Sequence, residues 1–508
     1  MIGIAYLASY NVALSSLAFH TLYTYLKELE IPVHRITLEQ TSPLPMIRDH
    51  DARFFQPNKF SAYMISIPYE ILYRDLVILL KDLKIPVLNS QREEHHPIIL
   101  GGGPAVTANP LPTSGILDAI VVGEPEDHLE EIVSILESDY SRASKLKRLA
   151  EIPGVYVHAY SEEVERTYVK NLDTSYHPIK QIVEKDITPI WGRSLLVEAS
   201  RGCSRGCFFC MEGRIFLPAR HRSYSSLSNI VEKGLEATGY RKVSFYSLSF
   251  FDNPAAEKVL EKTVSEGLKA SVPSLRVDTL DRKKLELMRQ AGQNTLTIAP
   301  ETGSCSLAKA INKHLCATNT IPIVEDAVEL GFPTIKMYVM TGFSIETDDM
   351  FNSTLSMIEE SAKIAKRGGS KLRVTVNPLI PKPHTPLQWH GATEPGLFKQ
   401  RLNQIRKKVR RLGVEIDSYN PRYARLQTIL SRGDERITLA IIAWGSGGGY
   451  LSGWRRAVRE TGLNEEYYLK HWDPGFVPPW HKVVRDRFNS VDLLSRAYTI
   501  YVELLRKF

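Results

Sequence analysis

Residues 198–213 read EASRGCSRGCFFCMEG and contain three of the five cysteines in the chain. These cysteines, Cys203, Cys207 and Cys210, have the spacing C-x-x-x-C-x-x-C and directly follow a predicted strand. Glycines at positions 202 and 206 allow the loop to curl, so that three thiolates can face one centre. The stretch therefore predicts a metal site at the carboxyl end of a strand.

The number of cysteines favours one kind of metal site. Structural zinc is closed by four protein ligands, so this triplet is one ligand short. An iron–sulfur cubane can bind three cysteines and keep its fourth iron open for a substrate or cofactor. We predict one 4Fe-4S cluster on the triplet, with zinc or a chance grouping of thiols as the alternatives. Cys305 and Cys316 are expected to pack as free apolar thiols, with a remote fourth ligand as the alternative.

The segment after residue 194 alternates strands with helices or loops, which predicts a partial parallel (βα)6 barrel. The six predicted strands cover residues 195–199, 243–248, 272–277, 295–300, 335–340 and 372–377. Barrel enzymes carry their chemistry at the carboxyl ends of the strands. Polar residues follow five of the six runs, so we expect several polar groups to meet at one barrel mouth.

Residues 1–135 predict a second α/β unit, in which a parallel sheet is wound with helices. Its predicted strands cover residues 2–9, 32–38, 62–68, 86–88, 97–100 and 119–122, and its main helices cover residues 13–29 and 71–83. A doubly wound sheet binds ligands at the carboxyl ends of its strands. Gly101, Gly102, Gly103 and Gly123 stand at two of these ends, where a backbone could approach a bulky ligand. A tight loop with no ligand is the alternative.

A chain of 508 residues is too long for one ordinary domain. We predict three units: a doubly wound domain with its linker over residues 1–185, a partial barrel over residues 190–391, and a basic, mostly helical region over residues 392–508. The last region holds 21 Lys and Arg against 12 Asp and Glu, so its net charge is +9, whereas the whole chain has +7. The basic excess therefore belongs to the carboxyl-terminal region.

The triplet, the aromatic Phe209 before its last cysteine, and the six βα units resemble the radical S-adenosylmethionine superfamily. More narrowly, the chain resembles the branch that couples this barrel to an amino-terminal cobalamin-binding-like domain. The stretches that carry the narrower resemblance are RGCSRGC (201–207), SLRVD (274–278), IAPETG (298–303), PKPHTP (381–386), GGGP (101–104) and VGE (122–124). The fold class implied is α/β: a doubly wound cobalamin-binding-like domain, a partial (βα)6 radical SAM barrel and a mostly helical carboxyl-terminal region.

The resemblance also implies cofactors and residue roles. In this superfamily the open iron binds S-adenosylmethionine, and one electron from the cluster cleaves it to methionine and a 5′-deoxyadenosyl radical. Ser247 and Ser249 would lie near the methionyl amino group and Arg276 near the carboxylate. Glu301 ends the strand that lines the adenine pocket in the family. An electron donor such as a flavodoxin or ferredoxin is the expected partner.

These implications predict an iron–sulfur enzyme that modifies an unidentified substrate through the 5′-deoxyadenosyl radical, with C-methylation as one candidate reaction. A non-catalytic 4Fe-4S redox or electron-transfer protein is the alternative. A nucleic-acid substrate is a further candidate, because Arg401, Arg406, Lys407, Lys408, Arg410 and Arg411 form a basic cluster among Trp and Tyr residues. A solvated helix face and ordinary core aromatics would explain the same composition.

Two features depart from the branch. Many cobalamin domains carry Asp-x-His-x-x-Gly after the first strand, where this chain has Tyr10 and Asn11. We predict that His20, inside an apolar helix, is a core histidine and not a cobalt ligand, so cobalamin is a candidate cofactor without a predicted protein ligand. Methylthiotransferases need a second cluster on cysteines of the first domain, but residues 1–202 contain no cysteine. We therefore do not expect methylthiolation.

The composition also bears on location. The odd count of five cysteines without a secretory leader predicts reduced thiols and a cytoplasmic protein. No run of 18 apolar residues occurs, so we expect no transmembrane segment.

Overall fold

The computed structural model describes residues 1–39, 45–52 and 59–504. The predicted first unit also includes residues 40–44 and 53–58, and the predicted third unit includes residues 505–508. These three short segments lie outside the described residues.

The amino-terminal unit is a seven-stranded sheet wound with helices. Its strands are β1 (Ile2–Tyr6), β2 (Val33–Glu39), β3 (Met46–Asp49), β4 (Ala62–Ser66), β5 (Ile98–Gly102), β6 (Ala119–Val121) and β7 (Val155–Tyr156), and a short strand β8 (Val164–Glu165) follows outside the sheet. Its helices are α1 (Tyr10–Ala13), α2 (Leu17–Glu28), α3 (Tyr73–Asp82), α4 (Pro104–Ala108), α5 (Leu129–Glu137) and α6 (Arg142–Glu151).

The strand order in this sheet is β3-β2-β1-β4-β5-β6-β7. The five central strands are parallel, and β3 and β7 pair antiparallel at the two edges. The chain winds from β1 outward to β2 on one side and returns to β4 on the other, so the order reverses between β1 and β4. A doubly wound sheet forms its ligand crevice beside such a reversal, at the carboxyl ends of the strands.

Both faces of this sheet are buried, because the side chains of each central strand alternate between two apolar layers. In β4, Ala62 and Met64 pack in the cluster that holds Phe19 of α2 and Ile132 of α5. Ile65 of the same strand points to the opposite face and joins the cluster that holds α3. This continuous apolar character is why the sequence predicts the central strands well.

One predicted strand of this unit, residues 86–88, is wrong. The segment is a bend that leads into a short turn, and it joins no sheet. Pro86 has no N–H to donate to a ladder. The carbonyl oxygens of Pro86 and Val87 accept hydrogen bonds from the Arg92 guanidinium at 2.9 and 3.0 Å. The backbone carbonyl groups of this apolar run are therefore hydrogen-bonded to a side chain and not to a neighbouring strand.

The second unit is an open parallel barrel. Its strands are β9 (Leu195–Glu198), β10 (Ser200–Arg201), β11 (Arg220–His221), β12 (Lys242–Tyr246), β13 (Lys269–Ser271), β14 (Thr295–Glu301), β15 (Thr334–Thr341) and β16 (Lys371–Pro378). Its helices are α7 (Glu212–Ile215), α8 (Tyr224–Thr238), α9 (Ala256–Ser265), α10 (Arg282–Gln290), α11 (Cys305–Ala310), α12 (Ala317–Glu329) and α13 (Asp348–Arg367).

Six of these strands form two parallel sheets that follow one another around the barrel, whereas β10 and β11 pair antiparallel with each other. The order β9-β12-β13 continues, through an isolated parallel bridge between Leu275 and Ile298, into β14-β15-β16. The barrel therefore has six parallel strands, as predicted, and five of them overlap the predicted runs, but the prediction of the third at residues 272–277 is wrong, because that strand is Lys269–Ser271. Pro273 cannot donate to a neighbouring strand, and the ladder ends before it.

The carboxyl-terminal region is mostly helical and packs on both other units. It contains α14 (Pro395–Val409), β17 (Glu415–Ser418), α15 (Pro421–Arg432), α16 (Thr438–Ser446), α17 (Leu451–Thr461), α18 (Glu465–Leu469), β18 (Val484–Arg485) and α19 (Val491–Glu503). Strand β17 pairs parallel with β16 and extends the barrel sheet past residue 391. Helix α16 packs against α3 of the first unit, and β18 pairs with β8.

The aromatic residues of this region are mainly core residues, as one of the two interpretations predicts. Trp444 and Trp480 are fully buried, and Trp454 and Trp472 nearly so. Arg401 of the basic cluster is buried as well, 3.3 Å from Asp348 and 4.2 Å from the ring centre of Phe351. The other five members of the cluster are exposed. Within the described ranges, no helix combines the length and the apolar character needed to cross a bilayer.

Candidate functional site

The three predicted metal ligands lie in the loop between β10 and α7, and none of them forms a disulfide. We call residues 202–211 the cysteine loop. Gly202 and Gly206 adopt φ angles of +78° and +67°, which L side chains rarely adopt. A Cβ atom at position 202 would collide with the carbonyl oxygen of Phe216. The curl that the sequence predicts is therefore present, and at Gly202 the packing itself requires glycine.

Two of the sulfurs receive hydrogen bonds. The amide of Gly213 donates to Cys210 Sγ at 3.4 Å, and Nη1 of Arg276 donates to Cys207 Sγ at 3.6 Å. Burial raises the pKa of Cys210 to about 12 and also raises the pKa of Cys203. Buried thiols of this kind stay protonated until a metal replaces the proton. Three sulfurs that form no disulfide, two of which accept hydrogen bonds from N–H groups, fit the ligand set of an iron–sulfur cluster.

The three thiols do not need to converge on one ion. In the described part of the chain, no three His, Cys, Asp or Glu side chains come close enough together to hold a single metal ion. In a cubane each cysteine binds a different iron, so wider spacing of the sulfurs is compatible with that cluster.

Arg276 lies at the cysteine loop, where its guanidinium is already engaged. Its Nε and Nη2 donate to the carboxylate of Asp278 at 3.0 and 3.1 Å. Asp278 also accepts from Arg205 of the cysteine loop at 3.3 Å, and Arg205 Nε donates to Asp252 at 2.9 Å. The sequence did not predict the roles of Arg205 and Asp252. This network holds Arg276 against Cys207. The binding of a ligand carboxylate group by Arg276 stays a prediction.

Ser247 and Ser249, predicted to lie near the methionyl group, follow β12 and lie beside the same network. The amide of Ser249 donates to Ser247 Oγ at 3.1 Å. Burial raises the pKa of Asp252, but the opposing effect of the paired Arg205 guanidinium helps to hold that pKa below its usual range. The carboxylate is therefore ionised next to the cysteine loop.

Glu301 ends β14 with a φ of +69°, a left-handed conformation for a residue that is not glycine. Such strain costs about 1–3 kcal/mol and persists only where the surroundings hold it. Its carboxylate lies 3.5 Å from Nζ of Lys313, and both side chains are buried. Burial raises the pKa of Glu301, against the opposing effect of Lys313 and Arg276. Of the four predicted barrel residues, Arg276 thus contacts the cysteine loop directly, and Glu301 is a buried carboxyl group paired with Lys313.

A cavity of about 530 Å³ lies between the first unit and the barrel. The first unit lines it with all four predicted glycines, at the carboxyl ends of β5 and β6. The barrel lines it with Glu198, Arg201, Gly202 and Ser247, at the carboxyl ends of β9 and β12. The ligand-binding edges of the two parallel sheets therefore share one cavity, and the cysteine loop begins at its wall.

The four glycines do not all serve the same purpose. Added Cβ atoms at Gly103 and Gly123 would meet the carbonyl oxygens of Ile67 and Thr167, and an added Cβ at Gly101 would collide with Leu117. These three glycines permit close packing of the protein itself. At Gly102 the nearest atom to such a Cβ, in Val121, is 3.8 Å away. Only Gly102 is free of a packing requirement, so its missing side chain enlarges the cavity.

Arg201 joins the two units at the edge of the cavity. Its Nη1 lies 2.9 Å from Glu124 and 2.7 Å from Glu126 of the first unit, and its Nε lies 2.9 Å from Glu198 of the barrel. Glu124 also pairs with Arg220 at 2.7 Å. Burial alone would raise the pKa of Glu198, but Arg201 and Arg222 hold it at about 2. The residue that begins the cysteine motif is therefore an inter-unit ion bridge, which local sequence spacing did not indicate.

Glu126 keeps one oxygen uncommitted at the cavity. Its Oε1 pairs with Arg201, whereas its Oε2 is buried without a hydrogen-bond partner in the described part of the chain. Burial raises the pKa of Glu126, and Arg201 opposes this effect. Glu126 lines the cavity, so a ligand there could satisfy this oxygen.

His20 is a core histidine, as predicted. Its Nε2 lies 3.0 Å from the carbonyl oxygen of Leu14, and its Nδ1 accepts a hydrogen bond from the amide of Ile182 at 3.0 Å. Burial lowers the pKa of His20 to about 4, so the ring is neutral. Both ring nitrogens are engaged within the protein, and neither is available to a metal.

The prediction of two free packing thiols at Cys305 and Cys316 is wrong. The two residues form a disulfide, with their Cα atoms 4.9 Å apart. Cys305 begins α11 and Cys316 is the amino-terminal cap of α12, so a short connection brings the two helix starts together. Eleven residues of separation give no periodic pattern that distinguishes such a pair from two independent buried thiols.

We predict that Cys203→Ala, Cys207→Ala and Cys210→Ala each lose the iron and the visible absorbance that the wild-type protein gains on anaerobic reconstitution with iron and sulfide, because each removes one of three thiolate ligands. The double variant Cys305→Ser/Cys316→Ser should retain both, as it removes no ligand. Iron analysis and absorbance spectra measure the effect, and full retention of iron in a triplet variant would contradict the assignment.

A second prediction concerns the ion bridge. Because the pKa of Glu198 is depressed, its contribution to stability is complete above about pH 4.3, the ordinary range of a glutamate, and is lost as the pH falls towards 2. Glu198→Gln should therefore lower the free energy of unfolding by about 3 kcal/mol at pH 7, since it removes one charge from a buried ion network. The difference from wild type should vanish near pH 2.

Thermal unfolding of both proteins between pH 7 and pH 2 measures this difference. Glu329→Gln, which breaks an exposed pair with Arg282, is the matched control and should change stability by less than about 1 kcal/mol at any pH. If the difference in stability between wild type and Glu198→Gln does not vary with pH, the Glu198 carboxylate is not stabilised by Arg201.

Two family models match the chain. Residues 19–158 match the model described as "Radical SAM proteins, N-terminal", and residues 197–358 match the "Radical SAM superfamily" model. The second match begins within β9 and contains the cysteine loop, Ser247, Ser249, Arg276 and Glu301. The first match contains all four cavity glycines.

Similar proteins extend over most of the chain. The uncharacterized protein MJ0966 of Methanocaldococcus jannaschii is 27% identical over 441 residues, covering 86% of this chain and 89% of that protein. The uncharacterized methyltransferase PH0819 of Pyrococcus horikoshii is 26% identical over 270 residues, covering 52% of this chain and 58% of that protein.

Among solved structures, the radical S-adenosylmethionine methyltransferase TsrM from Kitasatospora setae, with cobalamin and a [4Fe-4S] cluster bound, is similar with a TM-score of 0.56. The similarity covers 91% of this chain and 98% of TsrM at 12% identity. At this identity the comparison shows a shared fold over both α/β units.

Proposed function

Because the chain belongs to the radical S-adenosylmethionine superfamily, in the branch with an amino-terminal cobalamin-binding-like domain, we propose that it methylates a carbon atom of its substrate. S-adenosylmethionine would bind at the cysteine loop and cobalamin in the cavity between the two units. The observation that carries the proposal is this single cavity, which is lined from one side by Gly102 and from the other by Gly202 and Ser247.

The cofactors would supply the difficult chemistry: a 4Fe-4S cluster gives one electron that cleaves S-adenosylmethionine to methionine and a 5′-deoxyadenosyl radical, and cobalamin can carry a methyl group. The protein's part is orientation and exclusion of water. Arg276 and Gly213 donate to two of the cluster thiolates. The hydroxyl of Ser247 lies where the cavity meets the barrel mouth.

The first unit would hold cobalamin without a cobalt ligand from a side chain. In the described residues no histidine lines the cavity, and His20 is committed to Leu14 and Ile182. The uncommitted oxygen of Glu126 offers a hydrogen-bonding partner for an amide group at the edge of such a ligand. Binding would rest on backbone approach at Gly102 and on the apolar wall of the cavity.

The similar proteins support methyl transfer over other radical reactions. PH0819 is named a methyltransferase, and TsrM is a methyltransferase whose structure contains both cofactors. Residues 1–202 lack cysteines for a second cluster, which argues against methylthiolation. We further propose that a flavodoxin or ferredoxin delivers the electron and that the enzyme works in the cytoplasm.

The basic cluster on and after α14 gives weaker support to a nucleic-acid substrate. Its exposed members, Arg406, Lys407, Lys408, Arg410 and Arg411, could contact phosphates. The buried tryptophans of the same region are unavailable for base stacking. We therefore propose a substrate that enters the cavity and make no assignment to nucleic acid.

Anaerobic turnover with two labelled forms of S-adenosylmethionine tests the reaction. With a reductant and a cell extract, the methyl label should appear in one substrate. The adenosyl label should divide between S-adenosylhomocysteine, left by the molecule that donates the methyl group, and 5′-deoxyadenosine, left by the molecule that supplies the radical. Cys203→Ala should form neither the methylated substrate nor 5′-deoxyadenosine. Transfer of the adenosyl label to 5′-deoxyadenosine without any methyl transfer would support a radical enzyme of another reaction type.

The cavity itself can be tested by filling it. Gly102→Leu places a side chain where an added Cβ meets no atom closer than 3.8 Å, so the fold should be preserved while cavity volume is lost. The matched control is Gly396→Leu, because nothing lies within 4 Å of an added Cβ at that position and Gly396 is not part of the cavity.

We expect wild type and Gly396→Leu to retain cobalamin after incubation and desalting, and Gly102→Leu to retain at least about tenfold less, since a filled site loses most of its contact area. Visible spectra measure retention. Equal retention of cobalamin by Gly102→Leu and wild type would contradict cobalamin binding in this cavity.

A further inference from the structure

The disulfide between Cys305 and Cys316 closes a loop that contacts the cysteine loop. We call residues 305–316 the clamp loop; it consists of helix α11 and the connection to α12. Neither of the two cysteines belongs to the metal-binding triplet, and the proposed function gives them no role. Their position is nevertheless informative, because the clamp loop lies against the backbone of residues 205–208.

Three hydrogen bonds join the backbone of the cysteine loop to the clamp loop. The amide of Phe208 donates to the carbonyl oxygen of Ile311 at 3.0 Å. Nδ2 of Asn312 donates to the carbonyl oxygens of Gly206 at 3.0 Å and Arg205 at 3.3 Å. The clamp loop therefore fixes the backbone on both sides of Cys207.

A second set of contacts reaches the sulfur of Cys207 through one side chain. The carbonyl oxygen of Lys313 accepts from Nη2 of Arg276 at 3.0 Å, while Nη1 of the same guanidinium donates to Cys207 Sγ at 3.6 Å. The side chain of Lys313 lies 3.5 Å from Glu301 and 5.9 Å from the ring centre of Phe209. The clamp loop thus also helps to orient a hydrogen-bond donor to a cluster ligand.

The shape of the clamp loop needs external support. Asn312 and His314 have φ angles of +54° and +57°, a left-handed conformation that is a minority state for residues other than glycine, although Asn and His adopt it more often than most. The disulfide links the two ends of the segment that contains both residues. Breaking this link would leave these two residues less constrained.

The disulfide can be reached by another thiol. Cys305 is exposed, whereas Cys316 is buried at the start of α12. Thiol–disulfide exchange begins with attack of a thiolate on one sulfur of the bond, and exposure on the Cys305 side provides the access that this attack needs.

We propose that Cys305–Cys316 is a thiol–disulfide regulatory site that sets the order of the cysteine loop. A dithiol protein of the thioredoxin class would reduce it: the S–S bond breaks, the donor's two thiols become a disulfide, and their two electrons and two protons give two thiols in this protein. In the oxidised form the clamp loop holds residues 205–208. In the reduced form this hold is released.

The first measurement is peptide mass mapping of the full-length protein without reductant. It should find the peptides of Cys305 and Cys316 joined, and mild treatment with a phosphine should separate them. Complete absence of the joined peptides from protein purified in air would overturn the proposal, because the protein would then contain no disulfide to be reduced.

The second measurement is hydrogen exchange at the Phe208 amide, on the full-length protein with and without its cluster. Phosphine-treated wild type and Cys305→Ser/Cys316→Ser should both exchange this amide at least about tenfold faster than oxidised wild type, since opening of the clamp loop exposes it. The amide of Val197 in β9 is the internal control and should not change. Equal exchange at Phe208 in oxidised and reduced protein would overturn the proposal.

Two further comparisons separate this role from general destabilisation and from the proposed function. Asn312→Ala keeps the disulfide but removes the bonds to Arg205 and Gly206, so it should raise exchange at Phe208 without phosphine. The cluster-loaded double variant should keep its iron but show a changed electron paramagnetic resonance spectrum in the reduced state. An unchanged spectrum would contradict an effect on the cluster, and neither measurement depends on methyl transfer.

Discussion

The ion bridge at Arg201 is the interaction on which the arrangement of the two α/β units depends. The guanidinium of Arg201, two residues before Cys203, pairs with Glu124 and Glu126 of the first unit and with Glu198 of the barrel. Such a buried network contributes little net stability, because desolvation opposes the attraction, but removing one partner leaves uncompensated charge. It therefore acts mainly on the placement of the two units, because that placement brings carboxylates from both of them to one guanidinium.

That placement explains why both units direct the carboxyl ends of their strands to one cavity. Parallel strands carry their ligand-binding loops at these ends, so two parallel sheets joined edge to edge would leave two separate sites. Here Gly102 and Ser247 line the same space. The carboxyl-terminal region reinforces this arrangement, because β17 extends the barrel sheet while α16 packs on α3 and β18 pairs with β8.

Sequence reasoning succeeds where the cause of the structure is local. Apolar runs predict the central strands, and glycines 202 and 206 predict the curl of the cysteine loop, because φ preference and periodicity act over a few residues. It fails where the partner is distant. The pairing of Arg205 with Asp252, the contact of Arg276 with Cys207 and the disulfide of Cys305 all join residues that no spacing rule connects. The error at residues 86–88 has the same origin, since the Arg92 side chain donates to the carbonyl oxygens that the prediction assigned to a strand ladder.

The two sides of the cavity solve the problem of holding a ligand in different ways. Beyond the barrel side, outside the cavity lining, Arg276, Asp278, Arg205 and Asp252 form a continuous network beside the cysteines, so the position of one side chain is coupled to all the others. The first unit offers an open glycine, an apolar wall and one uncommitted carboxyl oxygen. A network of charges suits the loop that would hold a cluster, whereas a largely apolar wall with one open glycine suits a large ligand that a side chain need not coordinate. The ion bridge at Arg201 keeps these two surfaces in register.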